Sequence, residues 1–245
     1  MDPAEYRTIY AVEDRHWWYA GMRQITLALL EETCGRRDDL RILDAGSGTG
    51  AAMGYLSRFG PVTGIDISPL ALAFCRERSP ARLGQASVTA LPFAASSFDL
   101  VTSFDVLYHR AVGDPRAALA EFHRVLRPGG RVLLRLPAYD RLRGRHDAVI
   151  HTARRFSAPQ LGRDLAAAGF TIERLTYANT LLFPVALGRR LLDSHLPSSD
   201  PTRSDLTPNP SWLDGALTAV LRAEAVWLRR RNLPYGLTVA ALARK

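Results

Sequence analysis

The residues best placed to do chemistry lie at 43–50, LDAGSGTG, between a run of strand character and one with helical spacing. Gly46, Gly48 and Gly50 let the backbone turn sharply and approach a ligand where any side chain would obstruct it. With Ala51 they also satisfy the dinucleotide fingerprint G-x-G-x-x-A, so the glycines alone do not separate a pyrophosphate ligand from another nucleoside. Asp44 helps to decide between them. A carboxylate two residues ahead of the first glycine repels a pyrophosphate and suits a ligand carrying a sulfonium and an ammonium group. Ser47 sits in the same turn, and Asp66 closes the next strand-like run, GIDIS, with Ile67 beside it. A carboxylate there can accept hydrogen bonds from both hydroxyls of a ribose.

A second reactive group follows the fourth strand-like run. Ligands of open α/β sheets bind at the C-terminal ends of the strands, which places Phe104, Asp105, Tyr108 and His109 toward a bound molecule. His109 reads either as a base or orienting group for an acceptor, or as a histidine that packs or caps the next helix. Asp147, His151, Arg154 and Arg155 fall within nine residues of a stretch too polar for the core, which reads as a solvated loop or an acceptor-binding one. Near the N-terminus, Trp17, Trp18 and Tyr19 are either the core face of a helix or an aromatic lid able to lay a π face against a cation. Cys34 and Cys75 match no metal-ligand spacing and are expected as reduced thiols, so no metal is assigned.

These residues need a scaffold. Strand-length apolar runs at 41–46, 62–68, 81–87, 98–107 and 131–138 alternate with helical segments, which predicts βαβ units and a parallel sheet buried on both faces. Ala118, Phe122 and Val125 share one face of a crossover helix that Pro128-Gly129-Gly130 should stop. Further on, a helix at 158–168 closed by Gly169, a strand at 170–178, an apolar helix around Pro184, a proline-rich linker at 197–211, a helix at 211–230 and a terminal strand complete the pattern. The expected organisation is a helical cap at 1–35, a core at 36–177 and 233–245, and a helical insertion at 178–232.

Length and composition fit one α/β domain with appendages. The chain has no apolar run of about 18 residues and no apolar leader, so a cytoplasmic protein without stable membrane association is expected. The net charge of +8 comes from arginines spread along the chain, Lys245 being the only lysine, which is residue bias more than a basic stripe; no nucleic-acid partner is expected. The apolar helix at 181–192, with Arg189 and Arg190, reads as a packed insertion or a homodimer face in preference to a membrane-contacting element.

LDAGSGTG, GIDIS, ALPFAASSFDLV and RVLRPGG, in this order over residues 41–136, resemble the motifs of class I S-adenosylmethionine-dependent methyltransferases of the type 11 group. The resemblance implies a Rossmann-like α/β fold with a seven-stranded sheet of order 3-2-1-4-5-7-6, the last strand antiparallel, and methyl transfer from S-adenosylmethionine to a small-molecule acceptor whose O, N or C nucleophile stays open. Candidate cofactor contacts are Asp44, Gly46, Ser47, Gly48, Gly50, Asp66, Ile67, Phe104 and Tyr19. In the family a residue ahead of LPF, often aspartate, meets the adenine edge. Ser87 stands there here, followed by Val88 with its backbone N–H. Some similar methyltransferases begin with an HWW lid and carry a D…H.RRY stretch after the fifth strand. On that basis Trp18, Tyr108, Asp147 and Arg155 are candidate substrate contacts, and His109 and His151 candidate catalytic residues. Two rivals stay open: an NAD-dependent oxidoreductase, which would need a Ser-Tyr-Lys set that the lone C-terminal lysine does not supply, and a methyltransferase fold recruited for binding or cyclisation.

Overall fold

Strands that are apolar on both faces need helices on both faces, and the chain supplies them in alternation. The computed structural model describes residues 2–35, 37–78, 82–143, 147, 150–193 and 209–245. Two helices, α1 (Pro3–Val12) and α2 (Trp17–Cys34), precede β1 (Ile42–Ala45), α3 (Ala51–Leu56), β2 (Val62–Asp66), α4 (Pro69–Arg78), β3 (Arg82–Gln85) and β4 (Phe98–Phe104). Then follow α5 (Pro115–Val125), β5 (Leu126–Pro137), α6 (Ala158–Ala167), β6 (Thr171–Ala178), α7 (Phe183–Asp193), α8 (Ser211–Leu228) and β7 (Thr238–Arg244). The seven strands form one sheet of order β3-β2-β1-β4-β5-β7-β6, with β7 antiparallel to both neighbours. Fold class and strand order are those the motifs imply.

The crossover helix α5 shows how local sequence sets a boundary. Asp114 caps it by accepting from the Arg116 N–H at 2.9 Å, proline follows at the first turn, and Ala118, Leu119, Phe122 and Val125 are buried on one side. The expected stop at Pro128-Gly129-Gly130 is corrected: the helix ends at Val125 and β5 begins at Leu126. The Pro-Gly-Gly run lies inside β5, where the register against β4 shifts between Phe98 and Leu100. Such a bulge accommodates a proline that the regular ladder would not. The expected strand over 98–107 also ends earlier, at Phe104, because Asp105 takes a left-handed backbone, φ +57°.

Helices α2 and α8 pack side by side on one face of the sheet. Met22, Ile25, Leu29 and Leu30 of α2 and Leu221, Ala225 and Leu228 of α8 are buried there. Gly21 lets them meet closely, since a Cβ at that position would lie 2.2 Å from Leu221 Cδ1. The linker expected at 197–211 lies, through 208, outside the described residues, as do the side chains of Arg189 and Arg190. One buried carboxylate fastens this half of the chain. Glu224 of α8 accepts from the N–H groups of Asn179 at 2.5 Å, Thr180 at 2.9 Å and Leu181 at 3.2 Å, just past β6. Burial pushes the Glu224 carboxyl up, and the three backbone donors pull it back.

Glu224→Ala should therefore leave three backbone donors without their acceptor and destabilise the chain by about 3 kcal/mol or more, whereas Glu224→Gln, which keeps one oxygen, should lose less. Chemical denaturation of the two variants checks the order.

Candidate active site

The glycine turn between β1 and α3 has the geometry its residues demand. Gly46 and Gly48 hold φ of +89° and +54°, in the region glycine tolerates at little cost. A Cβ at Gly46 would sit 2.3 Å from Val106 Cγ2, while one at Gly48 would point into open space. Asp44, only 1% exposed on the central strand β1, accepts from Thr102 Oγ1 at 2.8 Å through Oδ1. Its Oδ2 and the Ser47 hydroxyl are buried without a hydrogen-bond partner. Burial pushes the Asp44 carboxyl up to about 6, against the Thr102 hydrogen bond and the Arg135 charge, and Asp66 pushes it further up.

Asp66 lies across the same turn. Its Oδ2 accepts from the Gly48 N–H at 3.0 Å and its Oδ1 from the Ser68 N–H at 2.8 Å. Burial pushes this carboxyl up as well. Ile67, next along the chain, is 52% exposed, an apolar surface offered beside a carboxylate. Val88 is buried, and Ser87 Oγ is engaged locally, 2.8 Å from Thr89 Oγ1 and accepting from the Thr89 N–H at 3.2 Å. These positions fit an adenosyl group bearing a cationic tail: an orphaned buried carboxylate oxygen for the cation, and backbone free of Cβ where the ligand must come close.

The N-terminal helices close over this edge through contacts that spacing did not reveal. Helix α1 packs on α4, with Tyr10 and Phe74 rings 4.7 Å apart. Arg78 lies 4.5 Å from the centre of the Tyr10 ring and pairs with Glu13 at 3.0 Å and Asp14 at 2.7 Å. Glu13 in turn accepts from the hydroxyl of Thr49, inside the glycine turn. Burial pushes Glu13 up. The one hint in the sequence was a cluster of charged and aromatic residues ahead of the first strand.

On the other side of the cleft the structure gathers Trp18, Tyr19, Phe104 and Asp105 about Arg135, with Tyr108 buried near Asp105 and Tyr19. The Arg135 guanidinium lies 4.7 Å from the Phe104 ring centre and 5.5 Å from that of Trp18. It donates to Asp105 Oδ2 at 3.0 and 3.1 Å and to Thr26 Oγ1 at 3.3 Å. Burial, near Glu13 and Asp105, pushes the Tyr19 phenol well above its usual value, and the buried Tyr108 phenol rises for the same reason. Sequence reasoning missed Arg135, whose signal was a charged residue within an otherwise apolar strand.

His109 and His151 come together, ring centres 5.6 Å apart. His109 Nδ1 accepts from the Ala111 N–H at 3.1 Å, and burial pushes the imidazole down to about 4. Asp147 and Arg155 are not loose surface groups. Both side chains are buried and form a two-point pair, each contact 2.9 Å, and Arg155 also donates to the Ala138 carbonyl at 3.2 Å. The expectation that the stretch holding Asp147 and Arg155 is too polar for the core is thus corrected at these two positions: each charge is buried against the other.

Residues 43–134 match the model of a family described as "Methyltransferase domain". A demethylmenaquinone methyltransferase of Beutenbergia cavernae is 32% identical over 239 residues, covering 95% of this chain and 81% of the relative. A demethylmenaquinone methyltransferase of Tropheryma whipplei is 35% identical over 130 residues, covering 50% of this chain and 48% of the relative. The chain spans between about half and two thirds of the length of the first curated relatives it matches, 64% for a probable S-adenosylmethionine-dependent methyltransferase of Mycolicibacterium smegmatis. Among solved structures, a chain of the complex between the Haloferax volcanii Trm112 methyltransferase activator and a methyltransferase superposes with a TM-score of 0.63 at 22% identity, covering 99% of this chain and 95% of that one.

The open space beside Gly48 gives a test. Gly48→Ala should fold, at a cost of about 1–2 kcal/mol for a left-handed alanine, while weakening S-adenosylmethionine binding tenfold or more. Gly46→Ala, driven into Val106, should lose stability first. Thermal unfolding and calorimetric titration separate the two.

Proposed function

The chain belongs to the class I S-adenosylmethionine-dependent methyltransferases, and we propose that it transfers the cofactor's methyl group to a small-molecule acceptor held between the ends of β4 and β5 and the start of α2. The observation that carries this reading is Asp44, a buried carboxylate with one oxygen unpartnered at the glycine turn. A cation is the partner that such a group accepts. When bound, S-adenosylmethionine supplies a methyl group on an already activated sulfonium leaving group.

What the protein must then do is hold and align. Asp44 and Ser47 would receive the charged tail, with Gly46, Gly48 and Gly50 allowing close backbone approach. Asp66 would take the ribose hydroxyls, Ile67 would cover the adenine face, and Ser87 and Val88 would meet its edge. Tyr19 and Phe104 would wall the cleft. Keeping nucleophile and methyl aligned about 3 Å apart is worth up to ~7–11 kcal/mol of barrier. We assign acceptor contact to Trp18 and Tyr108, and to Asp147 and Arg155 the fixing of the loop beside them. In this reading residues 1–35 are a cap, 36–177 with 233–245 the core, and 178–232 an insertion. The flat walls of Trp18, Phe104 and Tyr108 suit a ring-shaped acceptor, in keeping with the demethylmenaquinone named for two relatives. The test is transfer of labelled methyl to ring acceptors, demethylmenaquinone first. S-adenosylmethionine binding without label transfer would favour a recruited, non-methylating fold.

Asp44 links binding to pH. With its carboxyl pushed up to about 6, it must lose a proton to meet a cation. Affinity for S-adenosylmethionine should then be level above about pH 7 and fall about tenfold per unit below ~6. Asp44→Asn should bind weakly throughout and lose the slope, as calorimetry over that range would record.

The histidines make a further prediction if the nucleophile must shed a proton. An unperturbed imidazole base gives a rate rising through pH ~6–7. His109, pushed down to about 4, is neutral there, so a rate that depends on it should be flat from about pH 6 to 8. His109→Gln should lower kcat about 10²- to 10⁴-fold at unchanged cofactor affinity if it takes the proton. His151→Gln, measured alike, decides between them, and two near-normal variants would leave positioning to carry the reaction.

A further inference from the structure

Helix α8 has two apolar sides, and only one of them is used. At 3.6 residues per turn, Trp212, Ala216, Ala219, Ala223, Val226 and Trp227 fall on one stripe roughly 22 Å long. Trp212, Val226 and Trp227 are 72%, 64% and 54% exposed. The opposite side already fills the groove against α2 with Leu221, Ala225 and Leu228, so the outward tryptophans add nothing to the core.

Charge on the helix is divided in the same way. Its two carboxylates are held elsewhere: Glu224 is buried against the N–H groups after β6, and Asp214 accepts from Asn209 Nδ2 at 3.0 Å. Arg222, Arg229, Arg230 and Arg231, all exposed, border the stripe and its C-terminal end. Arg231 lies 5.9 Å from the centre of the Trp227 ring, and Arg229 makes a solvent-exposed pair with Glu31 at 3.2 Å. An apolar stripe with tryptophan at both ends, bordered by four exposed arginines of which, among the described residues, only Arg229 has a carboxylate partner, Glu31, complements one kind of surface: an apolar layer beneath a sheet of phosphates. A second copy meeting this face symmetrically would bring arginines and no carboxylate of α8. No described helix is long and apolar enough to cross a membrane, so α8 would lie along one.

We propose that the outward face of α8 docks reversibly on anionic phospholipid surfaces, with Trp212, Val226 and Trp227 entering the headgroup layer and the arginines meeting phosphates. The proposal does not depend on which acceptor is methylated. The full chain should cosediment with vesicles of phosphatidylcholine containing phosphatidylglycerol, much less with phosphatidylcholine alone, and release as salt is raised. Arg222→Gln and Arg230→Gln should each weaken binding roughly fivefold. The Val226→Ser/Trp227→Ser pair should abolish both binding and the blue shift of tryptophan emission, with circular dichroism and S-adenosylmethionine affinity unchanged. Failure to bind phosphatidylglycerol vesicles, or full binding by the Val226→Ser/Trp227→Ser protein, would overturn the proposal. So would sedimentation showing a dimer that this pair of substitutions dissociates, since a second copy would then cover the face.

Discussion

A carboxylate held on the central strand with one oxygen unmet is the constraint around which the ligand edge is built. Asp44 gets a single hydroxyl donor from Thr102, while Asp66 across the turn repels it. Burying an ionised carboxylate is costly unless a partner compensates, and burial here favours the protonated form. The rest of the edge can be understood as arrangements that keep this group dry and single-purpose. Small residues hold the backbone open on the ligand side, and among the described residues no cation comes close enough to bond Asp44 Oδ2.

A buried cation nearby is committed elsewhere. Arg135 belongs to β5, two strands from β1, and its guanidinium is filled by Asp105 and Thr26 and flanked by the Phe104 and Trp18 rings. It tempers Asp44 through space without bonding it. Removing only one member of such a pair would leave a buried charge uncompensated, which is more damaging than never having had the pair. Asp105 and Arg135 are thus best seen as a single unit that fixes the end of β4, where the chain turns left-handed to present Tyr108 and His109.

Much of this was legible because it depends on short-range pattern. The sheet follows from alternating apolar runs, and the glycine turn from three glycines behind a strand. Asp44 and Asp66 were legible for the same reason: their places are fixed by the ends of adjacent strands. Partners far apart in sequence were not legible. Arg135 with Asp105, Glu13 with Thr49 and Arg78, and Glu224 with residues 179–181 are separated by tens of residues, and no local period encodes them. Asp147 and Arg155 show the opposite failure: eight residues apart, they look like a solvated loop until the fold buries them against each other. Pro128-Gly129-Gly130 misled because a helix stop and a strand bulge call for the same residues.

The N-terminal aromatic segment was open between lid and core, and the structure divides it at the residues joining the two helices. Helix α2 cannot leave the sheet without exposing Met22, Ile25, Leu29 and Leu30, several kcal/mol of apolar burial at about 25 cal/mol per Å². Helix α1 buries only Glu5 and Tyr6. Its hold on the cleft is largely polar and peripheral: Arg78 with Asp14, the Tyr10 ring on Phe74, and Glu13 at the joint. Helix α1 therefore contributes much less buried apolar surface than α2. Glu13, at the end of α1, is bound to Thr49 within the glycine turn. Through Glu13 helix α1 is tied to the glycine turn that follows Asp44, while Trp18 of α2 lies against Arg135 on the other side of the cleft.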